Sequence, residues 1–190
     1  MHKILLPLAA ASALLSVTPA AAQRASVLVV DTDRILGECT ACRAAGTTLQ
    51  GQVTAGRTRA QQLQSQWQTE QKALETAVTA LAGKQPDAAL RARIQRYQTS
   101  RQQGEAELAQ KEGQIQSTQA NVQRQIAARI VQIAEQSRAR RQADIVVAKN
   151  STLASNAAGD ITAEVLTALN QQLPSVSVTP LPQPAAPAGR

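Results

Sequence analysis

The sequence predicts an α+β protein in which a small β-body carries a long antiparallel helical hairpin and a short C-terminal helix. The chain of 190 residues contains no Phe, one Trp and one Tyr, so it lacks the large side chains that fill most compact cores. Two short β-branched runs stand at the two ends of a long stretch in which apolar residues recur at helical spacing. These observations favour a projecting helical arm over a compact globule.

Residues 1–22 have the pattern of a secretory signal peptide. Lys3 supplies a positive start, the apolar run after it is too short to span a bilayer, and three alanines ending at Ala22 form a small-residue cleavage site. We expect export to the periplasm with cleavage after Ala22, so that the mature chain begins at Gln23.

Removal of this segment limits the chemistry of the mature chain. The only histidine, His2, is lost, and the formal charge of +7 falls by one because Lys3 is lost with it. Without histidine the chain cannot form Ser-His-Asp or Cys-His nucleophiles, or a zinc site that contains histidine. It also lacks a P-loop. We therefore predict no enzyme activity, no cofactor and no metal.

The body begins with SVLVVDTDRI at 26–35. Its continuous apolar run is typical of a buried strand, and the Asp-Thr-Asp cluster after it indicates a turn, so 23–37 is assigned to a strand and a turn. The partner strand is ADIVVAK, the start of the second body segment at 143–173. A weaker run at 151–155 is a candidate third strand, and an amphipathic helix at 162–173 completes the segment.

Two or three short strands and one helix are too few to form a stable sheet with covered edges. We therefore predict that the body is completed by oligomerisation through the sheet. The strand residues expected at this interface are Val27, Val29, Ile145 and Val147.

Residues 38–142 are predicted to form the arm, with its tip near 83–87. The tip sequence GKQPD supplies a Gly stop, a Pro for the first turn of a new helix and an Asp for its positive end. Residues at equal distance from the turn should face each other, which places Trp67 against Gly104. The same register pairs Leu81 with Leu90, Leu74 with Tyr97, Leu63 with Leu108 and Leu49 with Val122. Gly56 and Gly113 fall at nearly the same height, which indicates either close helix contact or a shared bending point.

Over residues 25–173 the chain resembles the Skp/OmpH family of periplasmic chaperones. The resemblance rests on the signal peptide, VLVVDTDRIL, the hairpin, DIVVAKN and above all the segment 160–170, DITAEVLTALN. It implies a homotrimer whose strands form a common β-body and whose arms enclose a cavity for unfolded outer-membrane proteins. The sequence departs from the family at STLASNA, where an aromatic residue often follows the second strand.

The predicted function is that of an ATP-independent holdase, which keeps unfolded outer-membrane proteins from aggregating. Scattered apolar groups and Gln amides along the arms favour many weak contacts over one strong site. Two alternatives of other classes remain: a structural coiled-coil scaffold of the envelope, and a thiol oxidoreductase based on the two cysteines.

Positive residues cluster toward the arm tip. They are candidate contacts for acidic client segments or for anionic lipid headgroups, although a solvated helix face also explains them. The residues are Lys84, Arg91, Arg93, Arg96 and Arg101. Nucleic acid is not expected as a partner, because the chain has almost no aromatic residues to stack on bases.

Two further features are a pair of cysteines and the C-terminal segment. Cys39 and Cys42 have thioredoxin-like spacing but lack the surrounding βαβ pattern, so a local disulfide or two small buried residues is the main interpretation and redox catalysis the alternative. The Pro- and Ala-rich segment 174–190 is predicted to be a disordered extension without an assigned function.

Overall fold

The structure, a computed structural model, describes residues 26–182. The predicted signal peptide, its cleavage site and the end of the C-terminal extension lie outside these residues. The elements in chain order are β1 (Val27–Val30), α1 (Thr32–Glu38), α2 (Thr40–Thr79), α3 (Ala88–Arg140), β2 (Ile145–Ala148) and α4 (Thr162–Gln172). In the text below, the body comprises β1, α1, β2, α4 and the adjoining ends of α2 and α3, and the arm is the remainder of α2 and α3.

β1 and β2 pair in parallel, although the whole arm separates them in the sequence. The register runs from Val27 opposite Ile145 to Val30 opposite Ala148. A parallel pair needs a long crossover connection, and here the helical hairpin provides it. The prediction that the first strand finds its partner beyond the hairpin is confirmed.

The predicted third strand at 151–155 is wrong. A 3-10 turn occupies Lys149–Ser151, and the Lys149 carbonyl accepts hydrogen bonds from both the amide and the hydroxyl of Thr152, at 3.0 and 2.8 Å. Local bonds of this kind compete with a strand ladder. The second neighbour of β1 is instead Asp160, which forms an isolated parallel bridge with Val29.

The predicted turn after β1 is a helix, α1. The Asp31 side chain accepts a hydrogen bond from the Arg34 amide at 2.9 Å and thereby caps the helix. Aspartate at such a position is a signal for a helix start as well as for a turn, which explains the error. The helix ends at Glu38, and the extended backbone of Cys39 separates α1 from α2.

The arm has the predicted tip and register. Gly83 has a φ of +87°, and the Asp87 side chain caps α3 by accepting from the Leu90 amide at 2.7 Å. At Gly104 an added Cβ would overlap the Trp67 ring and lie 3.3 Å from Leu63 Cδ1. The pairing of Trp67 with Gly104 is therefore confirmed.

The two arm glycines at similar height differ in their surroundings. An added Cβ at Gly56 would lie 3.6 Å from Ile115 Cδ1, whereas one at Gly113 would meet nothing within 4 Å. Close helix contact therefore accounts for Gly56 and not for Gly113.

The main core lies in the body. Five of its aliphatic side chains have at most 1 % of their surface exposed, and they come from α1, α3 and α4 with the residue just before α4: Ile35, Ile133, Ile161, Val165 and Leu169. The core continues up the arm through Val122, Ile126 and Ile130. Within residues 26–182, no helix is both long and apolar enough to cross a membrane.

Candidate functional site

A carboxylate on α4 connects two elements of the body, α4 and the end of α3. Ser137 Oγ donates to Glu164 Oε1 at 2.7 Å, and the Arg140 and Arg141 guanidinium groups form ion pairs with the same carboxylate. The Ser137 hydrogen bond, with those from the two arginines, lowers the pKa of Glu164. Hydrogen bonds from Thr162 likewise lower the pKa of Asp160, to which Lys149 adds an ion pair at 3.3 Å.

The residues predicted to form the oligomer interface do not share one environment. Val27 and Ile145 are register partners, and they are 46 % and 47 % exposed. Val29 is buried and Val147 is half-buried. The first residues of the two strands thus present an exposed apolar pair, and among residues 26–182 no strand pairs with the outer edge of β2.

The predicted tip cations fall into two groups. Arg93 forms a bidentate pair with Glu70 across the two helices at 2.7 and 2.9 Å, which lowers the pKa of Glu70. Arg101 pairs with Glu105 at 2.8 Å, and its guanidinium carbon lies 4.8 Å from the centroid of the Trp67 ring. These two arginines are therefore already engaged within the arm.

The other three tip cations remain more open. Arg91 donates to the Pro86 carbonyl at 2.6 Å. Lys84 and Arg96 are exposed, and neither forms an ion pair with any residue that the structure describes. Arg96 also lines a cavity of about 320 Å³ beside Trp67 and Tyr97. The open positive charge of the tip is thus smaller than the residue count suggests.

Open cavities lie along the seam between the arm helices. One of about 440 Å³ is lined by Leu74, Val78 and Ile94 near the tip, and one of about 290 Å³ is lined by Gly56 and Ile115 nearer the body. The seam is thin because long polar and small side chains separate its apolar residues. The arm therefore offers several shallow contact surfaces.

Cys39 and Cys42 form a disulfide at the junction of α1 and α2. Their Cα atoms are 5.1 Å apart, and Cys39 is fully buried. A catalytic disulfide must expose a sulfur to its substrate. Cys42 is half-buried, so burial does not decide between a structural brace at the start of the arm and redox catalysis, and both interpretations stay predictions. Among residues 26–182, no cluster of His, Cys, Asp and Glu could hold a metal ion.

The C-terminal extension is the feature that sequence reasoning missed. Residues 174–182 form neither helix nor strand, bend at Pro174 and Thr179, and lie against the body-proximal half of the arm, where Val176 and Val178 pack on the core. The prediction of disorder is therefore wrong for these residues. The signal was present in SVSVT at 175–179, whose alternating apolar and polar residues are typical of an extended segment with one covered face.

The fold and these surfaces define a class: a slender two-helix arm that rises from a small body and offers its contact surfaces along the arm. The family model described as "Outer membrane protein (OmpH-like)" matches residues 26–169. The chain belongs to this family, and the resemblance inferred from the sequence is confirmed.

A solved structure shares the fold. It is the crystal structure of an OmpH-like outer membrane chaperone, so described, from Caulobacter crescentus CB15. The two chains are 18 % identical with a TM-score of 0.57, and the match covers 84 % of this chain and 92 % of that one. A search of the curated proteins gives no significant match.

Proposed function

We propose that this protein is a periplasmic, ATP-independent holdase that binds unfolded outer-membrane proteins and prevents their aggregation. Membership of the OmpH-like family and the chaperone description of the related crystal structure support this function. The observation that carries it is the arm: two long helices share a thin apolar seam and leave shallow cavities along it. Many weak contacts of this kind can retain an unfolded chain without nucleotide-driven release.

The assembly that we propose is a homotrimer built on the sheet. The exposed pair Val27 and Ile145 and the open edge of β2 are features that a neighbouring chain would cover. Three arms around one body would then enclose a client from several sides. Sedimentation that gives a stable monomer would contradict this assembly.

The arm tip is proposed to attract acidic clients or anionic lipid headgroups. Lys84 and Arg96 are the best placed for this role, since both are exposed and unpaired within the part of the chain that the structure describes. Arg91 can join them by exchanging its bond to the Pro86 carbonyl for an external one. Arg93 and Arg101 would first have to leave their present partners.

A light-scattering assay tests the function. An unfolded outer-membrane barrel protein is diluted from denaturant with and without this protein, in the absence of nucleotide. The proposal expects suppression of scattering at near-stoichiometric chaperone. Scattering unchanged by the protein would exclude a holdase and favour a scaffold of the envelope.

A further inference from the structure

A row of polar side chains on α3 binds the backbone of the C-terminal extension. Gln125 both accepts from the Ser177 amide and donates to the Ser177 carbonyl, each at 3.0 Å. Asn121 donates to the Thr179 carbonyl at 3.0 Å, and the Ser117 hydroxyl accepts from the Leu181 amide at 2.9 Å. Ser117, Asn121 and Gln125 are called the polar ladder below.

The polar ladder has the spacing of an extended chain. Its members are four residues apart on α3, a rise of about 6.0 Å per step, while two residues of an extended chain span about 6.6 Å. Each step along the helix therefore meets every second residue of the extension. The pairing of every fourth helix residue with every second residue of the extension holds at the three ladder positions, with a bend at Thr179, and the extension runs antiparallel to α3.

These contacts select a conformation more than a sequence. All the ladder bonds go to backbone atoms, and so does the bond at 3.4 Å from Gln52 on α2 to the Val178 carbonyl. The side chains of Val176 and Val178 face the core, while the Ser177 and Thr179 hydroxyls are exposed and bond to each other at 2.8 Å. Any extended segment with alternating apolar and polar residues meets the same requirements.

We propose that the groove beside the polar ladder is a binding site for extended client segments, and that residues 174–182 are its displaceable intramolecular occupant. The inference rests on the proposed function, because membrane-spanning strands of outer-membrane barrels alternate apolar and polar residues in this way. The cavity of about 290 Å³ beside Pro180 continues the groove toward the tip and leaves room for larger side chains than the extension supplies.

The first test uses the full-length chain with its extension released. Val176→Ser with Val178→Ser removes the apolar anchors and keeps the ladder. The probe is a fluorescein-labelled peptide with the sequence of residues 174–182, and its binding is followed by fluorescence anisotropy.

An extension that stays docked must have a dissociation constant below its effective concentration, which is of millimolar order. The released variant should therefore bind the peptide below about 1 mM, and the parent chain at least about tenfold more weakly because its own extension competes.

Two further variants show whether the ladder holds the peptide. Adding Asn121→Ala and Gln125→Ala to the released variant should weaken peptide binding at least about tenfold, since three hydrogen bonds lose their partners. Adding Gln123→Ala instead is the matched control, because this glutamine is exposed on the same helix and forms no hydrogen bond with residues 174–182. No peptide binding up to about 1 mM, or equal loss in both variants, would overturn the proposal.

The client completes the test. An unfolded outer-membrane barrel protein should displace the labelled peptide from the released variant, whereas the same protein in its folded form should not. If the parent chain suppresses aggregation but the unfolded client never displaces the peptide, the holdase function stands and the groove is not a client site. If the parent chain fails to suppress aggregation, the proposed function fails and the client assignment of the groove fails with it.

Discussion

The body and the arm bury their apolar side chains to very different extents. Ile35, Ile133 and Leu169 in the body have no exposed surface, and charged groups such as Glu164 hold its elements together through several bonds each. In the outer part of the arm, toward the tip, the buried apolar residues Leu63, Trp67 and Leu74 keep 6 % to 7 % exposure, and cavities open beside Trp67 and Leu74. This difference fits the proposed roles, in which the body anchors the trimer and the arm exchanges weak contacts with a client.

The largest expected effect comes from the body core. Ile133→Ala removes a fully buried side chain and should lower the free energy of unfolding by about 2 to 5 kcal/mol. Chemical denaturation followed by circular dichroism measures it. The matched change Val131→Ala lies two positions earlier on α3, where the side chain is 67 % exposed, and should stay within about 0.5 kcal/mol. Similar costs for the two variants would contradict the division between core and surface.

The second prediction concerns the arm seam. Gly104→Leu places a large side chain where the Trp67 ring already lies, so it should cost about 1 to 3 kcal/mol and separate the helices locally. Amide hydrogen exchange should show the loss of protection in the arm and leave the body unchanged. At Gly113 an added Cβ is free of contacts, and Gly113→Ala should stabilise by about 0.5 to 1 kcal/mol.

The sequence predicts the arm well because its signals are local and repeated. The register followed from the tip residues and from two apolar stripes, and Trp67 could be placed on Gly104 by distance from the turn. The pairing of β1 with a run beyond the hairpin followed because the hairpin itself contains no strand, whereas the parallel orientation is seen only in the structure.

Features that depend on competition between local and distant contacts were not predictable in the same way. Asp31 suits a turn and a helix cap equally, and only packing of Ile35 into the body core decides for the helix. The extension has five prolines after Leu173, a composition typical of disordered segments. Its first part is nevertheless bound by side chains of α3 about fifty residues earlier. The pairing of Arg93, one of the candidate tip residues, with Glu70 could not be predicted, because it depends on which faces of α2 and α3 meet.

The third prediction concerns the acid sensitivity of the body. The folded state lowers the pKa of Glu164, so its contribution to stability is present above the unfolded pKa of about 4.3 and is lost as pH falls through the lower folded value. Glu164→Gln should therefore reduce stability at pH near 7 and flatten the loss below about pH 4. Urea midpoints across this range provide the measurement. Glu112→Gln, on the arm, is the control and should keep the steep acid dependence of the parent; an equally steep dependence in Glu164→Gln would show that other groups cause it.

The smallest expected effect on stability comes from the open tip cations, and it separates a binding role from a solvated face. Lys84→Gln with Arg96→Gln removes two exposed charges and keeps side-chain length and helix propensity, so the free energy of unfolding should change by less than about 0.5 kcal/mol. Arg93→Gln is the matched control, since it removes one charge that Glu70 already neutralises.

If the tip attracts acidic clients, the double variant should bind an unfolded outer-membrane barrel protein severalfold more weakly at low salt. The difference from the parent should disappear at high salt, because screening acts most strongly on exposed charges. Arg93→Gln should change client affinity less per charge removed, since its guanidinium is held by the Glu70 carboxylate. Equal affinities of the parent and the double variant at both ionic strengths would show that the tip charges form a solvated helix face without a role in binding. Client retention would then depend on the apolar seam and the groove beside the polar ladder.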